Sequence, residues 1–385
     1  MEPKMKKQKT TIVQFFPDDI IVDIMAALPF KSILRFRCLS KSWQAVLTSS
    51  RFNQSKTKSD DMQRIIVSSG ETFGLIKDEA NTKMCTLEFP LKSLKQDKYI
   101  IGCCNGLLLL LVPGEGMILW NPSTRECQKL PFPRRISNHV PGKFGFGYDQ
   151  STDNFKVIIL DYFLSSAHIY SLRSNTWKKI SGFPSLFTDE SKSGTLVDDF
   201  LYWSTETWVL GFNLKSDKFE KIRPPKDIKQ FHSPLGLGVI EGCLSLAQNH
   251  HGFYLNIWKL TKTSQSWIKI TSIKNLQELP DQHCWVPYCI MNNGEFLLTY
   301  FNDEVFIHGY PKTERCQTLR FGLYDPVNGK LRSLPTVHDM SHYRQAVTYV
   351  ESLVSPIVCI DSSSTLQLET KEFTDLYGKD WSKRF

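Results

Sequence analysis

The chain has 385 residues, 41% of them apolar and 22% charged, with a net charge of +8. This is the composition of a globular protein, not of a disordered or collagenous one, and the length predicts two or three domains or one large repetitive domain. The longest purely aliphatic run, Leu107 to Val112, falls far short of the ~20 residues a membrane-spanning helix needs.

Residues 1–15 read as a basic tail, with Lys4, Lys6, Lys7 and Lys9 but no apolar segment behind them of the kind a secretory signal carries. A protein of the cytoplasm or nucleus is expected, without a membrane partner. The ten cysteines are single apart from Cys103-Cys104 and form no C-x-x-C pair, so they read as buried thiols in a reducing compartment. Charge is unevenly placed: residues 1–60 hold eleven Lys/Arg against five Asp/Glu, a net of +6, which leaves +2 for the rest. The larger part of the chain therefore lacks the broad basic face of a nucleic-acid reader.

Residues 17 to 48 carry helical periodicity. Pro17, Asp18 and Asp19 suit a first turn, where the macrodipole favours negative charge. Ile20, Ile24 and Leu28 then recur at i, i+4 and i+8, widened by Ile21 and Met25, and Pro29 ends the helix. A second helix is expected over Lys31 to Cys38, with Ile33, Leu34 and Phe36 amid Arg35 and Arg37. A third is expected over Lys41 to Thr48, with Trp43, Val46 and Leu47. Three short helices cannot bury all these apolar groups among themselves, so a further surface must cover some of them.

From Ile65 onward the pattern changes to short β-branched and aromatic runs separated by Gly, Pro, Asn, Asp and Ser, the signature of strands and hairpins. One unit recurs: an apolar strand ending near an aromatic, a polar turn, and a second strand with an aromatic or aliphatic residue and a basic neighbour. It is found at Ile118–Leu130, Ile169–Ile180, Gly211–Ile222, Ile257–Ile270 and Leu323–Leu331. A period of about 40 to 50 residues in an all-β segment is that of a four-stranded propeller blade of kelch type. Phe200–Trp203 and Glu295–Tyr300 are expected as inner strands between copies. The number of blades stays open, and Tyr343 to Pro356 is expected to close the ring by pairing near Met84 to Phe89.

Few residues suit chemistry. His283, Cys284 and Cys289 lie close in sequence, and His338 and His342 are four apart, but neither group brings a full ligand set. Gly142-Lys143-Phe144-Gly145-Phe146-Gly147 lacks the context of a phosphate loop and reads as a blade turn. No catalytic residue, metal or cofactor is expected. Trp120, Trp177, Trp203, Trp208, Trp258 and Trp267 could line a groove for a carbohydrate or other small ligand, although aromatics at repeat positions more often pack blades.

Taken as a string, Phe16-Pro17-Asp18-Asp19-Ile20-Ile21-Val22-Asp23-Ile24 through Leu28-Pro29 and Ile33-Leu34-Arg35-Phe36-Arg37-Cys38-Leu39-Ser40-Lys41-Ser42-Trp43 resembles the F-box, with Phe16 where that family usually has Leu. The remainder is similar to the plant F-box-associated, kelch-like domain. The matching segments are Cys104-Asn105-Gly106-Leu107-Leu108, Leu119-Trp120-Asn121-Pro122-Ser123-Thr124-Arg125, Gly145-Phe146-Gly147-Tyr148-Asp149 with Phe155-Lys156-Val157, and Tyr349-Val350-Glu351-Ser352-Leu353-Val354. The S-locus F-box branch is similar in layout.

The resemblance implies an α+β multidomain chain: a three-helix F-box over 16–58, a β-propeller-like, kelch-type domain over 59–360, and a polar tail over 361–385. It implies a substrate receptor of a Skp-cullin-F-box ubiquitin ligase, non-catalytic itself. Pro17, Ile20, Ile24, Leu28, Pro29 and Leu34 would form the apolar contact with a Skp-type adaptor, with Arg35 and Lys41 at its rim. Cullin and RING subunits would follow through the adaptor, and an unknown target protein would sit on the propeller. The alternative is an F-box scaffold, or a propeller binding a small molecule or carbohydrate, with no role in degradation.

Overall fold

Asp18 and Asp19 open a helix, α1 (Asp18–Ala27), in the computed structural model of the chain. The chain is described for residues 18–357 apart from gaps, the longest at 53–63, 77–83, 92–96, 132–142, 182–192, 229–234, 275–281 and 334–344. Two units separate, Met1–Asp61 and Met62–Phe385. In the first, α1 closes with the Leu28 N–H donating to the Met25 carbonyl at 3.1 Å. Helix α2 (Phe30–Phe36) starts one residue before the position expected from sequence, because the Phe30 ring is buried. Ser40 caps α3 (Lys41–Thr48), its hydroxyl accepting the Trp43 N–H at 3.2 Å. Met25, Ala26, Phe30, Ile33, Leu47 and Phe52 are buried.

The second unit is six four-stranded antiparallel sheets. The first blade combines β1 (Arg64–Ser68), β2 (Phe73–Ile76) and β3 (Met84–Leu87) with the last of the described strands. The second holds β4 (Tyr99–Cys104), β5 (Leu107–Val112), β6 (Gly116–Asn121) and β7 (Glu126–Leu130). The third holds β8 (Lys143–Asp149), β9 (Asn154–Asp161), β10 (Ser166–Ser171) and β11 (Thr176–Ser181). The fourth holds β12 (Thr195–Val197), β13 (Phe200–Ser204), β14 (Val209–Asn213) and β15 (Lys218–Ile222). The fifth holds β16 (Leu235–Ile240), β17 (Cys243–His250), β18 (Tyr254–Leu260) and β19 (Trp267–Lys274). The sixth holds β20 (Gln282–Ile290), β21 (Phe296–His308), β22 (Lys312–Asp325) and β23 (Lys330–Ser333), and β24 (Gln345–Tyr349) returns to the first. The five sequence copies are the third-to-fourth-strand hairpins of blades two to six. The first blade carries no such copy, since seven residues join β2 to β3.

Side chains alternate across each strand, and here both faces of a blade are covered by neighbours. Leu107, Leu109 and Leu111 of β5 join a core with Phe144, Val157 and Ile159 of the third blade. Leu108, Leu110 and Val112 join another with Ile66, Phe73 and Tyr349 of the first. That is why β5 reads as an unbroken apolar run. Ile158 and Leu160 of β9 turn the other way, toward Leu201, Trp203 and Phe212. The outermost strands of blades three and four instead set exposed polar pairs between partly buried apolar residues, as in Trp177-Lys178-Lys179-Ile180 and Phe219-Glu220-Lys221-Ile222.

The turns explain the repeat. In each of the five hairpins a residue with positive φ closes the loop: Arg125, Asn175, Asp217, Gln265 and Gly329. At the other end of the loop Asn121 Oδ1 accepts the N–H of Ser123 (2.8 Å) and Thr124 (3.3 Å). Asn213 Oδ1 does the same for Lys215 and Ser216, and Asp325 Oδ1 for Val327 and Asn328. These are Asx turns, for which a short polar side chain is required.

Two sequence expectations need correction. The stretch Lys143–Asp149 is not a blade turn but β8, the inner strand of the third blade. Its glycines make room for blade four: a Cβ on Gly145 would lie 2.7 Å from the Trp203 ring, whose Nε1 donates to the Phe144 carbonyl at 2.8 Å. The closing strand β24 does reach the first blade, but it pairs with β1 (Arg64↔Tyr349 to Ser68↔Gln345), not with Met84–Leu87. The reason is topological: β3 is the outermost strand of that sheet, and the vacant position is at the inner edge of β1.

A latch holds this closure. The Asn121 amide donates to the carbonyls of Ser352 (3.0 Å) and Val354 (2.7 Å) while being fully buried. The Tyr349 hydroxyl bonds Ser123, and Arg64 pairs with Glu351. Gly106 has φ +73°, and any Cβ there would lie 2.3 Å from Ser352 Oγ, so glycine is needed on both counts. Gln345 bridges the inner strands of blades one and two, its Oε1 accepting the Ile100 N–H at 2.7 Å and its Nε2 donating to the Ile100 carbonyl at 3.2 Å. The segments around Asn105-Gly106, Trp120-Asn121-Pro122 and Tyr349–Val354 are thus one device, separated by more than two hundred residues.

Candidate functional site

In the helical unit the apolar stripe of α1 divides. Met25 faces inward, whereas Ile20 and Ile24, one turn apart, are 46% and 54% exposed. Of the other residues expected at the adaptor contact, Leu28 and Leu34 are half-buried and Arg35 and Lys41 are exposed. Pro17 and Pro29 lie outside the described residues. Leu39 and Val46 are also exposed apolar side chains. Sequence reasoning placed Val46 only as part of the third helix and did not use Leu39. Their one available signal was that a buried partner, Leu47, adjoins Val46 on a helix that can turn only one face inward.

Antiparallel pairing gives the ring two unlike faces. On one lie the turns between first and second and between third and fourth strands, such as Asn105-Gly106, Glu241-Gly242 and the Asx turns. On the other are the strand ends joined by the second-to-third-strand and blade-to-blade connections, such as Leu130 and Lys143. Long loops on a rigid scaffold are where recognition is usually placed.

Several cations of the turn face are paired. Lys156, nearly buried, donates to the Leu214 carbonyl and pairs with Asp217 (2.8 Å) and Asp149 (3.3 Å), stitching blade three to blade four. Burial pushes the Asp149 carboxyl up, but hydrogen bonds from Ser151, Thr152 and Lys156 and the Lys156 charge outweigh it and hold it below the usual value. Lys215–Asp199, Lys262–Asp198 and Lys259–Glu241 are paired as well.

The tryptophans answer the groove hypothesis. Trp120, Trp203 and Trp258 are buried in inter-blade cores. Trp177 and Trp267 open the fourth strands of blades three and five, and each donates its Nε1 to the preceding blade, at the Pro131 carbonyl (3.2 Å) and the Arg223 carbonyl (2.8 Å). These five are packing residues. Trp208 alone of the six stands half-buried at the connection face.

For chemistry there is little. Among the described residues no group of three or more His, Cys, Asp or Glu is placed to hold a metal. His283, Cys284 and Cys289 belong to β20, and His338 and His342 lie outside the described residues. Burial raises the thiols of both Cys104 and Cys103, the latter to about 12, so they are inert packing groups at neutral pH.

The comparisons agree with this architecture. An F-box domain model matches residues 15–55, and a model described as the F-box associated beta propeller domain matches residues 42–356. Similar proteins of Arabidopsis thaliana include F-box/kelch-repeat protein At3g23880, 25% identical over 88% of this chain and 95% of that protein. F-box protein At3g07870 is 26% identical, covering 80% of this chain and 88% of that one, and F-box protein CPR1 is 23% identical, covering 79% and 84%. A six-bladed ring closed by its own last strand, preceded by short helices that match the F-box, places this chain in the family of F-box proteins with an F-box-associated β-propeller domain.

Proposed function

We propose that this protein is the substrate-recognition subunit of a Skp-cullin-F-box ubiquitin ligase, working in the cytoplasm or nucleus. The observation that carries the reading is the exposure of Ile20 and Ile24 in a unit that matches the F-box. Apolar side chains left uncovered on a small helical unit are the residues a partner would bury, each worth about 1.5–3 kcal/mol once covered. The partner is a Skp-type adaptor, contacted by Ile20, Ile24, Leu28 and Leu34 together with Pro17 and Pro29, with Arg35 and Lys41 at the rim. The ring then holds a target protein through its connection face.

No chemistry is required of this chain. A target lysine held near a ubiquitin-charged conjugating enzyme elsewhere in the assembly meets its thioester at high effective concentration. The receptor supplies specificity and distance.

Capture of a purified Skp-type adaptor tests the reading. Wild type should bind. Ile20→Arg with Ile24→Arg should weaken binding about 100-fold or more, since two apolar contacts of the size above are lost, while the thermal unfolding of the chain stays unchanged. Failure of the wild type to bind any such adaptor would remove the ligase assignment and leave a propeller binding module.

A further inference from the structure

The connection face carries an aromatic flanked by cations. Trp208 precedes β14, and the register that pairs Val209 with Ile222 sets it opposite Arg223. Lys221, two residues earlier, projects to the same side of the sheet. Lys221 Nζ lies 6.0 Å and the Arg223 guanidinium carbon 5.8 Å from the Trp208 ring centroid. The platform is held from beneath: the Thr205 hydroxyl accepts the Trp208 N–H at 3.0 Å and donates to its carbonyl at 2.9 Å, and the Arg223 carbonyl is fixed by Trp267.

Two of the cations here lack a carboxylate partner among the described residues. On the turn face Lys215, Lys259 and Lys262 each have a carboxylate partner. Lys221 and Arg223 are exposed, and among the described residues neither is paired with one. Edge strands often carry lysines simply to prevent sheet-to-sheet pairing. That role needs neither an aromatic between the cations nor the pinned turn beneath it.

We propose that Trp208, Lys221 and Arg223 form the docking point for a carboxylate-rich, extended segment of the target protein. Side chains two residues apart on a strand repeat at about 6.6 Å, so Lys221 and Arg223 match alternate side chains of an extended peptide. Two cations at that spacing suit two separate carboxylates better than a single group on which both must converge. The indole, within 6.0 Å of both cations, is an apolar floor that strengthens both ion pairs by excluding water. This inference rests on the receptor role proposed above and names what the ring would recognise.

The test is fluorescence anisotropy of the full chain with a short labelled peptide of alternating Glu and Ser. Binding should weaken as salt rises, and Lys221→Glu with Arg223→Glu should weaken it about tenfold or more, because attraction becomes repulsion at both points. Trp208→Leu should weaken it severalfold. A charge-matched control, Lys218→Glu with Lys330→Glu, at the turn-face ends of two outer strands, should bind within about twofold of wild type. The proposal is overturned if the Lys221/Arg223 variant binds as wild type does or if the control loses as much. It is equally overturned if a Gln-for-Glu peptide binds equally, or if only a singly phosphorylated peptide binds. Circular dichroism separates misfolding from lost contact. The adaptor capture assay is run on the same variants, so loss of peptide binding with adaptor binding intact refutes this site and not the receptor role.

Discussion

The helical unit and the ring treat apolar side chains in opposite ways. Among the described residues four large apolar side chains stand exposed in each, Ile20, Ile24, Leu39 and Val46 against Tyr254, Ile268, Val327 and Ile357, although the helical unit is a small fraction of the ring's length. The ring spends nearly all its apolar surface on itself, because every blade face meets a neighbouring blade. The helical unit keeps some uncovered. A self-sufficient scaffold in one chain with a helical unit that is not self-sufficient fits the receptor role proposed above.

That contrast can be broken most severely at the closure. A chain ending before Gln345 loses β24 and leaves the inner edge of β1 without its partner; scanning calorimetry should show no cooperative transition for the ring. If the truncated ring melts as the full one does, self-sufficiency does not depend on closure. Next in size is Lys156→Met, which strands the buried Asp149 carboxylate beside Asp217. Chemical denaturation should record a loss of about 3 kcal/mol at neutral pH.

Asp149 also sets a pH dependence. Its carboxyl titrates below the usual value in the folded state, so it contributes stability above the ordinary carboxylate range that is lost as pH falls through the depressed value. An acid titration of wild type should therefore show this loss beginning in the ordinary carboxylate range and completing below the depressed value. In Lys156→Met the hydrogen bond and charge of Lys156 no longer lower the carboxyl, and the midpoint of acid unfolding should move to higher pH.

Smaller again is Asn121→Ala, which leaves the Ser352 and Val354 carbonyls without their donor and should cost about 2 kcal/mol. Hydrogen exchange should show faster exchange in β24 before the inner blades respond. The smallest stability effect sharpens the contrast from the other side: Ile20→Ser with Ile24→Ser should change unfolding by no more than about 0.5 kcal/mol, because both side chains already face solvent. A large destabilisation would mean that they belong to the core of the helical unit.

Much of the scaffold could be read without coordinates. The change from a helical to a strand pattern near Ile65 and the five hairpins with their polar turns follow from short-range rules: which side chains fit a turn, and which alternate across a strand. The residues of the closing latch were legible only as isolated signatures, since nothing in Asn105-Gly106 or Asn121 announces Ser352 as its partner. Reading Gly145 and Gly147 as turn residues failed because glycine in a strand signals either a turn or the close approach of a neighbour, and the neighbour, Trp203, lies in another blade.

The sequence by itself determined the two regions, the blade hairpins and the apolar stripe of the first helix, because these depend on residues within a turn or a few positions of one another. Tertiary structure alone decided the count of six blades and the pairing of β24 with β1. It also decided which side of the α1 stripe stays exposed and the gathering of Lys221, Arg223 and Trp208 around one ring. Each of these depends on which distant surfaces meet, and pairwise meeting over long sequence separations is settled only when every blade has its neighbour.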